Sequence, residues 1–96
     1  MIDVLDAHMH TIASGHAYST LNEMIASGKS KKLKLIGITE HTNKMPGTCH
    51  EIYFCNFKVI PRHQDDIEIR MGAEINIIDY YGNMDLSEKG FSKIDY

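Results

Sequence analysis

An acid and two imidazoles stand at alternate positions in Asp6-Ala7-His8-Met9-His10. Alternate side chains of a β-strand point to one face, so a strand through this run would present Asp6, His8 and His10 together. The preceding Ile2-Asp3-Val4-Leu5 is strand-like. Neutral imidazole is a common zinc ligand, and two imidazoles with a carboxylate near a core are costly to hold without a cation. The spacing therefore points to one edge of a metal site. The alternative is a surface strand with incidental polar residues.

Further donors stand after other apolar runs. Leu33 to Thr39 is apolar and β-branched at its end, which predicts a buried parallel strand delivering Glu40 and His41 to its carboxyl edge. A third strand is expected within Ile67 to Ile78, where Ile67, Ile69 and Met71 alternate with Glu68 and Arg70 and Glu74 follows. His16 lies on the small, polar loop Thr11 to Ser19, which bends at Gly15. Arg62 follows Pro61, and such a turn would aim a guanidinium at a phosphate by bidentate contact; pairing with Asp65 or Asp66 is the competing role.

Between these strands, Ser19 or Thr20 can cap a helix to about Lys31, because Glu23 falls near the third helical position and Leu21, Met24 and Ile25 keep helical spacing. Gly28 weakens its end, and Lys29-Ser30-Lys31-Lys32 suits the negative pole of a helix. Pro46-Gly47 and Tyr81-Gly82-Asn83 mark turns. His50 to Lys58 reads equally as a short helix or an irregular segment, in which Tyr53, Phe54 and Phe57 are core or a cover over strand edges, with the lining of a substrate pocket as the alternative. His50 and His63 read as surface or turn histidines. Leu86 to Tyr96 holds an amphipathic turn or two. Strands alternating with helical stretches predict an α/β fold with parallel strands, whose ligands gather at the carboxyl ends of the strands.

The chain has 96 residues, 43% hydrophobic and 24% charged, which is the composition of one small globular domain burying about two-thirds of its unfolded surface. A formal charge of −3 and a sequence pI near 6.0 give no basic field for a phosphate backbone, so no nucleic-acid partner is expected. Two acids in the first six residues argue against an export signal, and no stretch approaches a membrane span, so a cytoplasmic protein with no membrane partner is expected. The spacing of Cys49 and Cys55 matches no zinc or redox pair, which predicts free thiols.

Taken together, these residues resemble the PHP (polymerase and histidinol phosphatase) metal-dependent hydrolases, and within them the YcdX-like phosphatase branch. Asp6-Ala7-His8-Met9-His10 is similar to the first motif of the family, Ser14-Gly15-His16-Ala17-Tyr18-Ser19 to a loop adding a further ligand, and Ile38-Thr39-Glu40-His41 to the second motif. Met45-Pro46-Gly47, Ile60-Pro61-Arg62 and Gly72-Ala73-Glu74-Ile75-Asn76 also look like that branch. The resemblance implies the N-terminal part of a distorted (β/α) TIM-like barrel, with residues 1–96 a single partial domain truncated at its C-terminus. It implies a multinuclear site of up to three ions, zinc with manganese or iron as alternatives, that hydrolyses small phosphorylated substrates. The ligands would be His8, His10, His16, His41 and Glu74, with Glu74 also a bridge between two ions, and Asp6 and Glu40 supporting imidazoles from behind.

Two departures stand out. Glu40 occupies a position where the family usually has Asp, and the sequence ends at Ile94-Asp95-Tyr96, before the later strands and their ligands. A complete barrel needs on the order of 200 residues or more. Weak or absent turnover is therefore expected of these residues alone. The alternatives are a metal-binding but inactive half-barrel and a fragment that self-associates through exposed sheet edges.

Overall fold

The computed structural model describes residues 4–96, and Ile2 and Asp3 of the first strand-like run lie outside them. Strand β1 (Leu5–Met9) leads through a loop into helix α1 (Leu21–Ser30), then β2 (Leu35–His41), a short helix α2 (Ile52–Cys55), β3 (His63–Gln64), β4 (Ile67–Glu74) and a short helix α3 (Glu88–Phe91). The sheet order is β1-β2-β4-β3, with β2 parallel to both β1 and β4 and the two-residue β3 antiparallel. The expected α/β class with parallel strands is present. The antiparallel β3 had no signal in the sequence, being too short for a periodic pattern; Asp65, at a positive φ of 51°, turns the chain from it into β4.

Helix α1 starts as its capping residues dictate. The Thr20 side chain accepts the Glu23 N–H while Glu23 accepts the Thr20 N–H, a reciprocal capping box. Near its other end, Gly28 is buried against Ile67 and Ile36, so the residue that weakens the helix is also the one that lets it approach the sheet. Lys29 reaches past the helix end to Asp65, at 2.7 Å.

Register divides the sheet into two faces. Ile36 and Ile69, Ile38 and Met71, and Glu40 and Ala73 are cross-strand partners. The isoleucines and Met71 join Ile25, Phe54, Phe57, Ile67 and Leu86 in one core beneath the helices. The opposite face carries Gly37 beside Arg70, Thr39 beside Gly72 and His41 beside Glu74. There the aromatic ring of Tyr96 lies against Gly72, and its hydroxyl, beside Gly37, donates to the Ala7 carbonyl. Asp95 N–H donates to Met71 O at 2.7 Å and Ala73 N–H to Tyr96 O at 3.3 Å, so residues 95 and 96 line the edge of β4 that β3 leaves free.

Strand β4 stops at Glu74 rather than running to Ile78. Asn76 is drawn instead to Asp85, whose carboxylate accepts from Asn76 N, Asn76 Nδ2, Lys44 N and Thr42 Oγ1. Beyond it, Ile77 and Met84 bridge a turn around Asp79. The segment after His50 forms α2 and a 3-10 turn at Phe57–Val59, with Phe54 and Phe57 fully buried. Cys49 and Cys55 are free thiols. Among the described residues no helix is long and apolar enough to cross a membrane.

Candidate metal centre

Four imidazoles and a carboxylate meet at the carboxyl ends of β1, β2 and β4. The His10 ring stacks on that of His41 at 4.4 Å between centroids and lies 5.0 Å from His8 and 5.7 Å from His16, while His16 and His41 are 4.8 Å apart. Glu74 faces them from β4: its Oε2 is 3.2 Å from His10 Nε2 and 3.0 Å from His41 Nδ1. One donor atom from each of His8, His10 and Glu74 falls within 4.8 Å of the others. The structure thus brings together His8, His10, His16, His41 and Glu74, from three strands and one loop.

The strand ends supply this convergence. His41 and Glu74 are register partners on the face away from the core. His8 and His10 reach that face through an irregularity in β1. Asp6 pairs with Ile36 and Met9 with Ile38, so three steps along β1 oppose two along β2. One extra residue changes the phase of alternation. Asp6 is therefore aligned with core-facing Ile36 and out of phase with His8 and His10, contrary to the simple alternation. Its Oδ1 accepts the backbone N–H of His8 at 3.2 Å, so it steadies the irregular turn of the strand rather than an imidazole.

Hydrogen-bond inventory fixes which ring nitrogens look outward. His16 Nδ1 is 3.1 Å from the Ser14 carbonyl, which only accepts, so Nδ1 carries the hydrogen. Thr39 Oγ1 donates to Met9 O and lies 3.1 Å from His8 Nδ1, so His8 also donates through Nδ1. Both rings therefore present a lone pair at Nε2. Burial, followed by the neighbouring His41, holds the His10 imidazole below its ordinary value, so it is neutral at pH 7.

Glu40 takes a different part from the one its sequence position implied. Neighbouring residues in a strand face opposite ways. Glu40 accordingly turns to the helix side while His41 turns to the cluster. Fully buried, Glu40 accepts from Thr11 N at 2.8 Å, Ser14 Oγ at 2.8 Å, Tyr53 OH at 3.1 Å and the Thr11 hydroxyl. Burial, with Glu40 alongside, pushes the Tyr53 hydroxyl well above its ordinary value and keeps it a donor. Glu40 thus anchors the loop after β1 and supports His10 through Ser14, whereas the His41 ring lies beyond its reach.

Arg62 lies apart from the cluster. Its Nε meets Asp95 Oδ2 at 2.8 Å, and Nη1 donates to the carbonyls of Phe57 and Ile60 at 2.6 and 2.8 Å. Its carbonyl accepts from Ile69, five residues before Glu74, or about 16 Å along an extended strand. The guanidinium is therefore committed to Asp95 and to the chain ahead of β3, and Asp65 pairs with Lys29 instead. His50 accepts the Ile52 N–H and starts α2.

Sequence reasoning passed over Ser14, Thr11 and Tyr53 as working parts of this region. A signal existed for Tyr53, since a buried phenol needs a hydrogen-bond partner. Ser14 and Thr11 gave none, because small hydroxyl residues are ordinary in loops.

The chemistry of the donor set fits a divalent cation. The Glu74 side chain is 42% exposed, yet its Oε2 atom is buried and has no hydrogen bond among the described residues. A buried carboxylate oxygen with no hydrogen bond, lying 3.2 and 3.0 Å from two ring nitrogens, is costly unless a cation or proton is held among them. His8, His10, His16, His41 and Glu74 are the residues that would hold such an ion.

This arrangement, donors at the carboxyl ends of a mainly parallel sheet, is part of a PHP-type α/β barrel. The PHP domain model matches residues 6–94, and the chain belongs to the PHP domain family. It is 51% identical over 92 residues to a protein of Caldicellulosiruptor saccharolyticus named probable phosphatase, covering 96% of this chain and 38% of that protein. The same figures for a probable phosphatase of Thermoanaerobacter sp. (strain X514) are 50%, 96% and 38%. A probable phosphatase of Aliivibrio fischeri is 42% identical over 93 residues, with 97% and 38% covered. The chain thus spans well under half the length of these relatives.

Proposed function

We propose that this chain carries one part of the active centre of a metal-dependent phosphoesterase acting on small phosphorylated substrates. One observation carries the reading: Glu74 Oε2 is buried, lacks a hydrogen bond among the described residues, and lies 3.2 Å from His10 Nε2 and 3.0 Å from His41 Nδ1. Zinc, with manganese or iron as alternatives, supplies when bound a Lewis acid for phosphoryl oxygens and a water acidic enough to act near neutral pH.

The residues of this chain do the holding. His8, His10 and Glu74 form one group of donors, His16 and His41 stand beside it, and Glu74 is suited to lie between the two. The loop Thr11 to Ser19, tied to Glu40, carries His16 and closes one side. No side chain of the cluster has to act as a nucleophile. The relatives named probable phosphatase support the reaction class, and their greater length supports a barrel completed by further strands.

These residues alone are expected to bind metal and to turn over poorly. Five donors serve fewer than three ions, since a single structural zinc takes about four ligands. Metal binding without turnover is thus the second reading, favoured by His8, which stands on the exposed edge strand β1.

Elemental analysis of the purified chain, with turnover of a generic aryl phosphate, tests both. About one or two ions per chain are expected, lost on combining His8→Ala with His10→Ala. A folded chain that takes up no zinc, manganese or iron refutes the metal reading, and full-rate hydrolysis by the chain alone refutes the partial centre.

A further inference from the structure

We propose that Ser14, held by the buried carboxylate of Glu40, is a positioning residue that sets His10 as its Nδ1–H tautomer and so leaves its Nε2 lone pair free for a cation beside Glu74. The proposal deepens the metal-centre reading and rests on it for its purpose, though not for its geometry.

The hydrogens around one hydroxyl decide the tautomer. Ser14 Oγ has three polar neighbours: Glu40 Oε1 at 2.8 Å, the His41 backbone N at 3.0 Å and His10 Nδ1 at 3.1 Å. A hydroxyl has one hydrogen and two lone pairs. The His41 N–H is a fixed donor, so it takes one lone pair. Glu40 is a fixed acceptor here, because its other neighbours, Thr11 N, the Thr11 hydroxyl and the Tyr53 hydroxyl, all have hydrogens to give. The Thr11 hydroxyl is itself oriented, since its oxygen already accepts the Ala13 N–H at 3.2 Å. The single Ser14 hydrogen therefore goes to Glu40. What remains for His10 is a lone pair, which requires His10 to donate through Nδ1.

Ser14 and Glu40 are both fully buried, so water does not offer Ser14 another arrangement. In a ring with Nδ1 protonated, Nε2 is bare, and it is Nε2 that stands 3.2 Å from Glu74 Oε2. The opposite tautomer would put the hydrogen on Nε2 and remove the lone pair a cation beside Glu74 would need. Ser14 thus separates a ring that can serve as a ligand through Nε2 from one that cannot. The single hydroxyl also ties the His41 backbone to the same anchor, which keeps the two stacked rings in register.

Nitrogen NMR of the imidazoles in the metal-free chain reads the tautomers directly, and His16 is an internal control because its Nδ1 is held by the Ser14 backbone carbonyl. Wild type is expected to show Nδ1–H at both His10 and His16. Ser14→Ala is expected to move His10 toward Nε2–H while His16 stays unchanged, a divergence that general loosening of the loop would not produce. Glu40→Gln is the conservative control: the Thr11 N–H and the Ser14 hydroxyl share Oε1, so the amide keeps its carbonyl oxygen there and His10 is expected to stay Nδ1–H. Zinc titration should then show a loss of about 10- to 100-fold in affinity for Ser14→Ala. A His10 already in the Nε2–H form in wild type, or one that stays Nδ1–H in Ser14→Ala, overturns the proposal. A wild-type chain with the expected tautomers and no zinc uptake instead defeats the metal reading and leaves the tautomer assignment standing.

Discussion

Arg62 and Asp95, 33 residues apart, meet through two contacts, Nε to Oδ2 at 2.8 Å and Nη2 to Oδ1 at 3.4 Å. The same Oδ2 accepts the Met71 N–H at 2.8 Å, so the pair closes the end of the chain onto β4. Burial pushes the Asp95 carboxyl upward, but Arg62 and the Met71 N–H outweigh it and hold the group below its ordinary value. Stability from this pair is therefore complete above about pH 4, the unfolded carboxylate value, and is lost as pH falls through the lower folded value. Acid unfolding followed by circular dichroism should show a shallower loss in Asp95→Asn. Arg62→Ala should cost about 1–2 kcal/mol in a urea melt, because the ion pair is partly screened and two carbonyl contacts go with it.

Removing the Glu40 carboxylate should be far more damaging. Glu40→Ala strands the Thr11 N–H and the hydroxyls of Thr11, Ser14 and Tyr53 in a buried space, and a cost of at least about 3 kcal/mol is expected, read from the same melts. Tyr53→Phe removes a single donor and should cost about 1 kcal/mol.

Alkaline pH offers a separate test of Tyr53. Its hydroxyl is raised by burial first and by Glu40 second. The folded chain thus keeps a proton that the unfolded chain releases above about pH 10, and stability should fall as pH rises past that point. Ultraviolet titration should show a late-ionising phenol that disappears in Tyr53→Phe. Ionisation of all tyrosines at ordinary pH would refute the assigned environment.

Gly15 connects backbone geometry to the candidate metal centre. It adopts a φ of 83°, and a Cβ built there would lie 2.0 Å from the Gly47 carbonyl oxygen. Gly15→Ala combines about 1–2 kcal/mol of left-handed strain with a backbone collision, so the loop must move. Because Ser14 and His16 flank this residue, zinc affinity should drop along with stability. Gly82 has the same φ with nothing within 4 Å, so Gly82→Ala should cost only the strain and leave metal uptake intact.

Among the described residues strand β1 pairs on one side only, with β2, and Val4 and Leu5 are 55% and 54% exposed. An open edge with apolar residues favours pairing with another strand. Sedimentation velocity should show a mass that rises with concentration, and Leu5→Lys should reduce that rise. A monomer at all concentrations would show that this edge does not pair.

Much of the fold was legible because it rests on local patterns. The capping box at Thr20 and Glu23, the alternation of Ile67, Ile69 and Met71, and the apolar run into Thr39 each have a periodic or capping signature, and each became the expected element. Elements without such a signature were missed. Strand β3 is too short for a pattern, and the Asp85 carboxylate that gathers Asn76, Lys44 and Thr42 beyond β4 gave no local signal.

The same division holds at the candidate metal centre. By itself, the sequence determined the donor types and the strand ends that carry them, since His8, His10, His41 and Glu74 follow from composition and period. Tertiary structure alone decided what surrounds those donors. The extra residue in β1 takes Asp6 out of phase with the histidines, the alternation of β2 separates Glu40 from His41, and Arg62 is taken by Asp95. The physical reason is that a donor's identity is local, whereas the hydrogen bonds that orient it come from residues far along the chain: Glu40 reaches Thr11 across 29 positions and Ser14 across 26, distances that only the packed sheet brings to bonding range.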